Sequence, residues 1–249
     1  MQGRAVLVTG ASRGIGRATA RAFAAIGDRV AVNYRQSAAA AEELVRSLPG
    51  PGHLAIQAEI GDPDSARRLV DSAVEALGGL DVLVNNAGVS IPHDITDGDF
   101  DAWRRAWERT LTVNLSGAAY VTYWAVQQML SRGGRIINIS SRGAFRGEPG
   151  NPGYAASKAG LNAFGQSLAQ ALGSHGIAVM TIAPGWVATE MAQAELGSSV
   201  GKEVLAQSSL GRIARPEEVA AAAVFFASPE AEFTTGAVLD INGASYLRT

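Results

Sequence analysis

Val6-Leu-Val-Thr-Gly-Ala-Ser-Arg-Gly-Ile-Gly16 carries a short apolar run into a glycine-rich turn and out into a stretch of helical pattern. Val6-Leu-Val8 is too short for a helix and too apolar for an exposed loop, so it reads as a buried strand. Gly10, Gly14 and Gly16 let the chain turn tightly and present backbone amides at the start of the next helix, which reads from Ile15 to about Ile26. Free amides and the helix dipole together favour a phosphate group there. The spacing is G-x-x-x-G-x-G rather than G-x-G-x-x-G, and a tight turn alone could use the same glycines. The strand–turn–helix context at the start of an alternating chain favours a dinucleotide.

The alternation continues outward from that turn. Strands are predicted at Val30–Val32, His53–Glu59, Asp81–Val84, Arg135–Ile139, Ile177–Ile182 and about Val238–Asp240. Helices are predicted at Ala38–Leu48, from Asp62-Pro63 onward, over about Phe100–Leu130, at Tyr154–Leu172 and at Pro216–Ala227. Apolar strands separated by helices imply a parallel sheet covered on both faces, hence a doubly wound α/β fold of Rossmann type. No linker interrupts the pattern, so residues 1–249 read as one domain. The weakest stretch, Trp186 to Leu210, follows a strand's carboxyl end and is expected to act as a substrate lid.

Composition narrows the function. A net charge of −2 and the lack of any basic run give no pull toward nucleic acid or an anionic membrane. The chain has no Cys and only 3 His, His53, His93 and His175, far apart in sequence, so neither a disulfide framework nor a metal centre is expected. Met1-Gln-Gly-Arg4 leads straight into the first strand without a signal-peptide core, and no apolar run reaches the ~18 residues of a membrane span. A cytoplasmic location is the default expectation.

Cofactor choice is read after the second strand, where a carboxylate would bind a ribose 2′-hydroxyl and repel a 2′-phosphate. Val32-Asn-Tyr-Arg35 has no acid there. Arg35, with Arg13 in the glycine turn, is placed to clamp a 2′-phosphate instead, which favours NADP(H) while leaving NAD(H) possible. Surface solvation is the alternative role for both arginines.

Tyr154-Ala-Ala-Ser-Lys158 puts a phenol and an ammonium one helical turn apart on one face. An ammonium nearby favours the phenolate, which makes Tyr154 a candidate acid/base. The pair alone is common on any helix. Ile136–Ser141, however, is an apolar strand ending in two serines at the same sheet edge, and a Gly/Pro-rich loop can fold it back toward Tyr154. Asn85-Asn-Ala-Gly88 ends the fourth strand, and Asn114 sits awkwardly within the long helix, more useful as a polar contact.

Taken together, Thr9-Gly10-x-x-x-Gly14-x-Gly16, Asn85-Asn86-Ala87-Gly88, Asn114, Ser141, Tyr154-x-x-x-Lys158 and Pro184-Gly185-x-x-x-Thr189 resemble the short-chain dehydrogenase/reductase family over essentially the whole chain. The resemblance implies a nicotinamide-dependent oxidoreductase. Tyr154 would be the acid/base, Ser141 would hydrogen-bond the substrate oxygen, Lys158 would lower the Tyr154 pKa and hold the nicotinamide ribose, and Asn114 would position a relay water. The implied cofactor contacts are Gly10, Ser12, Arg13, Gly14, Ile15, Gly16, Arg35, Glu59, Ile60, Asn86, Ala87, Gly88, Tyr154, Lys158, Pro184, Gly185, Val187 and Thr189. Glu59 stands where the family usually has Asp against the adenine, and Asn242 where a second glycine is common. Within the family the pattern is most like 3-oxoacyl-(acyl carrier protein) reductases of fatty acid biosynthesis, which implies a 3-oxoacyl thioester reduced to the 3-hydroxyacyl form, an acyl carrier protein as partner, and a homotetramer. Arg132 would meet the carrier protein near the site mouth, whereas His175 replaces a typical arginine. A dehydrogenase of another secondary alcohol (sugar, steroid or cyclic) shares every one of these residues. A non-catalytic NADP(H)-binding regulator would not need the reactive set.

Overall fold

The computed structural model describes residues 3–96, 98–190, 192 and 205–248. Seven strands, β1 Ala5–Val8, β2 Arg29–Tyr34, β3 Leu54–Gln57, β4 Val82–Asn85, β5 Gly134–Ile139, β6 Ile177–Pro184 and β7 Val238–Ile241, pair in the order β3-β2-β1-β4-β5-β6-β7. Every pairing is parallel. The helices α1 Gly14–Ala25, α2 Ala38–Ser47, α3 Pro63–Leu77, α4 Phe100–Leu111, α5 Ala118–Met129, α6 Gly143–Arg146, α7 Pro152–Leu172 and α8 Pro216–Phe226 connect and cover it.

Alternate strand residues feed two separate cores, as the pleat requires. Val6, Val8 and Ile137 face Phe23, Leu44 and Phe226 of α1, α2 and α8. Leu7 and Ile136 face Leu69, Val121 and Leu172 of α3, α5 and α7. The sheet is therefore doubly wound, with two buried layers.

Strands β2 and β3 lie to one side of β1, and β4 to β7 to the other, so the connections diverge between β1 and β4 and open a crevice at their carboxyl ends. Side chains hold its floor. The Thr9 hydroxyl accepts from the amides of Asn86 and Ala87, both at 3.0 Å, and the Asn86 amide group donates to Thr9 O at 2.8 Å. Asn33, at the end of β2, accepts from Gly10 N at 3.1 Å and donates to Ala58 O at 3.2 Å, joining three strand ends. Gly10 has φ +62°, and a Cβ there would lie 2.8 Å from Ala87 Cα. A left-handed backbone and this close approach both require glycine.

Two features differ from the sequence expectation. The long helix over Phe100–Leu130 is interrupted by a π turn at Thr112–Gly117. The loop between Ser141 and Tyr154 contains α6, and α7 starts at Pro152, because proline suits a helix's first turn. Of the expected lid 186–210, residues 191 and 193–204 lie outside the described residues. The two sides of that segment meet in a short ladder, with Ala188 N donating to Ala214 O at 2.8 Å and Ala214 N to Trp186 O at 2.9 Å. Among the described residues no helix is long and apolar enough to cross a membrane.

Candidate active site

A cleft of about 510 Å³ opens at the carboxyl ends of the strands. It gathers all the residues expected at the site except Gly16 and Asn114. Gly16 packs behind it: a Cβ there would meet the Asn86 side chain and lie 2.8 Å from Ala11 Cα. The glycine turn, Asn86–Gly88 and Pro184–Thr189 thus form one continuous wall from sequence segments far apart.

At the adenine end the charges are more entangled than the sequence suggests. Glu59 accepts from Arg109 at 2.7 Å, from Arg35 at 3.2 Å and from Gly61 N at 3.3 Å. Burial favours its neutral form, but Arg109, the Gly61 amide and Arg35 outweigh that and hold the carboxyl below its usual range. Arg13 makes an exposed ion pair to Glu190 at 3.6 Å. Arg109 went unrecognised in the sequence, because nothing local links it to a residue 50 positions away. Arg35 and Arg109 together make a cationic border around the position where a 2′-phosphate is expected.

At the reactive end the two serines separate. The Ser140 hydroxyl turns away and donates to Lys158 O at 3.2 Å. Ser141 Oγ accepts from Gly143 N at 3.0 Å and faces Tyr154. Burial pushes the Tyr154 phenol above its ordinary value, the Ser141 hydrogen bond opposes the rise, and the Glu148 carboxylate adds to it. The expected lowering by Lys158 does not appear: the phenol stands above its ordinary value. The Lys158 ammonium sits 5.8 Å from the Tyr154 ring centre and donates to Ile139 O at 2.8 Å. Burial brings Lys158 itself down to about 8.

The π turn explains Asn114. Widening the helix by one residue lets its side chain point inward, where Oδ1 accepts from Val89 N at 2.8 Å and Nδ2 donates to Val89 O at 2.9 Å and Ser157 Oγ at 3.1 Å. Both amide hydrogens of Asn114 are thus donated to protein, while Oδ1 keeps a second acceptor site. The amide adjoins Lys158, since a Cβ on Gly88 would lie 3.3 Å from Asn114 Oδ1 and 3.4 Å from Lys158 Nζ. Arg142, Glu148 and Asn151 also line the cleft, and all lie in the Ser141–Tyr154 segment read only as a loop.

Arg132 is not at the mouth. It lies with His175 in a depression at the amino ends of β5 and β6, the opposite edge of the sheet, and pairs with Asp81 at 3.5 Å. The turn from α5 into β5 necessarily falls on that edge in a parallel sheet.

Lys158 gives a stability prediction with a definite sign. Its folded pKa of about 8 lies below the ordinary lysine value of 10.5, so the unfolded chain binds more protons between those pH values. The penalty is full below about pH 8 and fades as pH rises toward 10.5. Replacing the charge by Lys158→Met removes a penalty on the order of 3 kcal/mol and loses a hydrogen bond of about 1 kcal/mol. The urea midpoint at pH 7 is expected to rise, and the gain over wild type to shrink toward pH 10. An unchanged or lower midpoint at neutral pH would show that Lys158 is not held against its charge.

A family model described as "Enoyl-(Acyl carrier protein) reductase" matches residues 10–244. An L-rhamnose 1-dehydrogenase (NAD(P)(+)) of Sphingomonas sp. is 39% identical over 99% of this chain and 98% of its own length. A 3-oxoacyl-[acyl-carrier-protein] reductase of Staphylococcus aureus is 37% identical over 98% of both chains. Among solved structures, a short chain dehydrogenase of Burkholderia cenocepacia in complex with NADP matches with a TM-score of 0.89 and 36% identity, over 98% of both chains. The glycine turn, the Ser141–Tyr154–Lys158 wall and these matches over nearly its full length agree: the chain belongs to the short-chain dehydrogenase/reductase family of oxidoreductases.

Proposed function

We propose that this chain uses NADPH to reduce a ketone to a secondary alcohol, with Tyr154 as proton donor. The observation that carries the reading is the convergence of Tyr154, Ser141 and Lys158 on one wall of the cleft, beside the glycine turn. Tyr154 is protonated at neutral pH, as a proton donor to a carbonyl must be, and the Ser141 hydrogen bond works against the burial that holds its proton in place. Ser141 would hydrogen-bond the carbonyl oxygen, Lys158 the nicotinamide ribose, and Asn114 would brace the loop at Val89 and stand beside Lys158. Bound NADPH supplies the hydride. Ser12, Gly14 and Ile15 would carry the pyrophosphate, with Gly16 packed behind them, Ile60, Ala87 and Gly88 the adenosine half, and Pro184, Gly185, Val187 and Thr189 the nicotinamide. One domain would hold cofactor and substrate, with 186–210 as the lid; the Ala188–Ala214 ladder supports a segment hinged at a fixed stem.

Among ketones the first reading is a 3-oxoacyl thioester, supported by the reductase relatives. The second is a sugar. Glu148, Arg142 and Asn151 line the cleft, groups suited to hydroxyls, and the rhamnose dehydrogenases are as similar to this chain. A homotetramer is the proposed assembly, supported by exposed Tyr120 and Tyr123 on α5.

Tyr154→Phe is expected to lower kcat at least about 100-fold while leaving NADPH affinity near wild type. Residual turnover above about a tenth of wild type would remove Tyr154 from the proton step. NADPH is expected to exceed NADH in kcat/KM by tenfold or more, and Arg35→Asp to reverse that order, read from initial rates with both cofactors. Equal efficiency with both in the native chain refutes the cationic-border reading. Acetoacetyl-CoA reduction set against L-rhamnose oxidation, at matched concentrations, decides the substrate. An advantage for rhamnose above tenfold, about 1.4 kcal/mol in transition-state binding, replaces the thioester by the sugar.

A further inference from the structure

His93 was one of three scattered histidines in the sequence, with no assigned task. In the fold it lies between two walls of the cleft. It belongs to the connection from β4 to α4, which brings Ser90 and Pro92 to the cleft, and it packs against the segment that brings Asn151 and Tyr154. Only 4% of its surface is exposed. The rings of Trp103 and Trp107 meet it edge-on, at centroid distances of 5.9 and 6.4 Å, and stack on each other at 5.2 Å.

Its hydrogen bonds are specific. The His93 backbone amide donates to Gly150 O at 3.0 Å. On the ring, Nδ1 lies 2.6 Å from Ile91 O and Nε2 lies 2.9 Å from Gly153 N. A carbonyl can only accept and a backbone amide can only donate, so the partners fix a neutral ring with its proton on Nδ1. Gly153 is the second residue of α7, and its amide has no acceptor within the helix. His93 Nε2 is that acceptor. Gly153 must also be glycine, since a Cβ would stand 2.9 Å from His93 Nε2 and 3.2 Å from Trp107 Cε3.

The next residue is Tyr154. We propose that His93 is a positioning residue for Tyr154: its neutral ring caps the first turn of α7 and ties it to the β4–α4 connection, fixing the phenol relative to Ser141. This rests on Tyr154 as the proton donor. The imidazole holds the helix end from one side, and the Trp103–Trp107 stack prevents the ring from turning away.

His93→Phe keeps the aromatic packing and removes both ring hydrogen bonds. His93→Gln has an amide oxygen for Gly153 N and an amide nitrogen for Ile91 O. The test uses the NADPH-bound protein, with kcat and KM for the best ketone among acetoacetyl-CoA and a cyclic ketone. A second readout, independent of turnover, is ultraviolet titration of the Tyr154 phenol, assigned by subtracting the Tyr154→Phe signal. The expected result is a fall of about tenfold in kcat for His93→Phe, an NADPH KM within about twofold, a displaced phenol titration, and recovery of both in His93→Gln. Wild-type kcat and an unmoved titration in His93→Phe overturn the proposal. Equal losses in both variants also overturn it, since they reduce His93 to packing. If His93→Phe does not fold, Gly153→Ala displaces the ring without removing it and is read in the same way. A wild type inactive on every ketone sinks the proton-donor reading, and the titration still judges His93.

Discussion

The hydroxyl of Thr9 closes the one gap that a doubly wound sheet cannot close with its own ladder. Beside β1 the connections run in opposite directions, and the ends of β1 and β4 part to make the crevice. Two amides leave β4 at that opening, those of Ala87 and of Asn86, the latter also donating to Val84 O at 3.1 Å, and an unmatched buried amide costs about 1–3 kcal/mol. Thr9 accepts both. With that floor fixed, Gly10 can rest on Ala87, Gly88 can admit Asn114 and Lys158 alongside it, and the cofactor wall becomes continuous. The fold and the site thus share one fastening.

The reactive end depends on a second constraint, the removal of charge from water. Tyr154 and Lys158 are both driven toward their neutral forms by burial. Their shared effect is to pull apart two values that nearly match in water, ~10 for the phenol and ~10.4 for the ammonium, so that in the cleft Tyr154 holds its proton while Lys158 gives its own up more readily. Glu148 acts in the same direction on the phenol, from the segment that also carries Ser141. The protein therefore sets the acid not with a single neighbour but with the wall around it.

How much of this could be read beforehand divides along the range of the contacts. Strand alternation, the glycine turn and the Tyr154–Lys158 spacing are local patterns, and each appears in the structure within a few residues of where it was expected. The π turn is invisible to periodicity, because Thr112–Gly117 has the same apolar spacing as the helices it joins; the awkward Asn114 was its only trace. Ser141 was already preferred over Ser140 by the family resemblance, but the task of Ser140, a backbone contact to Lys158 O, had to await the orientation of α7. Glu59 with Arg109, His93 with Gly153 and Thr9 with Asn86 are pairs 50, 60 and 77 residues apart, set by the sheet and by no local signal.

The ladder that joins Trp186–Ala188 to Ala214 has a consequence for how such a protein diversifies. Because the segment leaves and re-enters the body at one point, its ends are already brought together by the body rather than by the segment. Lengthening a loop between fixed ends adds only about 0.6 kcal/mol for each doubling. A change of length between the two sides of that stem is therefore one the sheet can absorb, whereas Thr189, just beyond the stem, is bound by its place in the cleft wall.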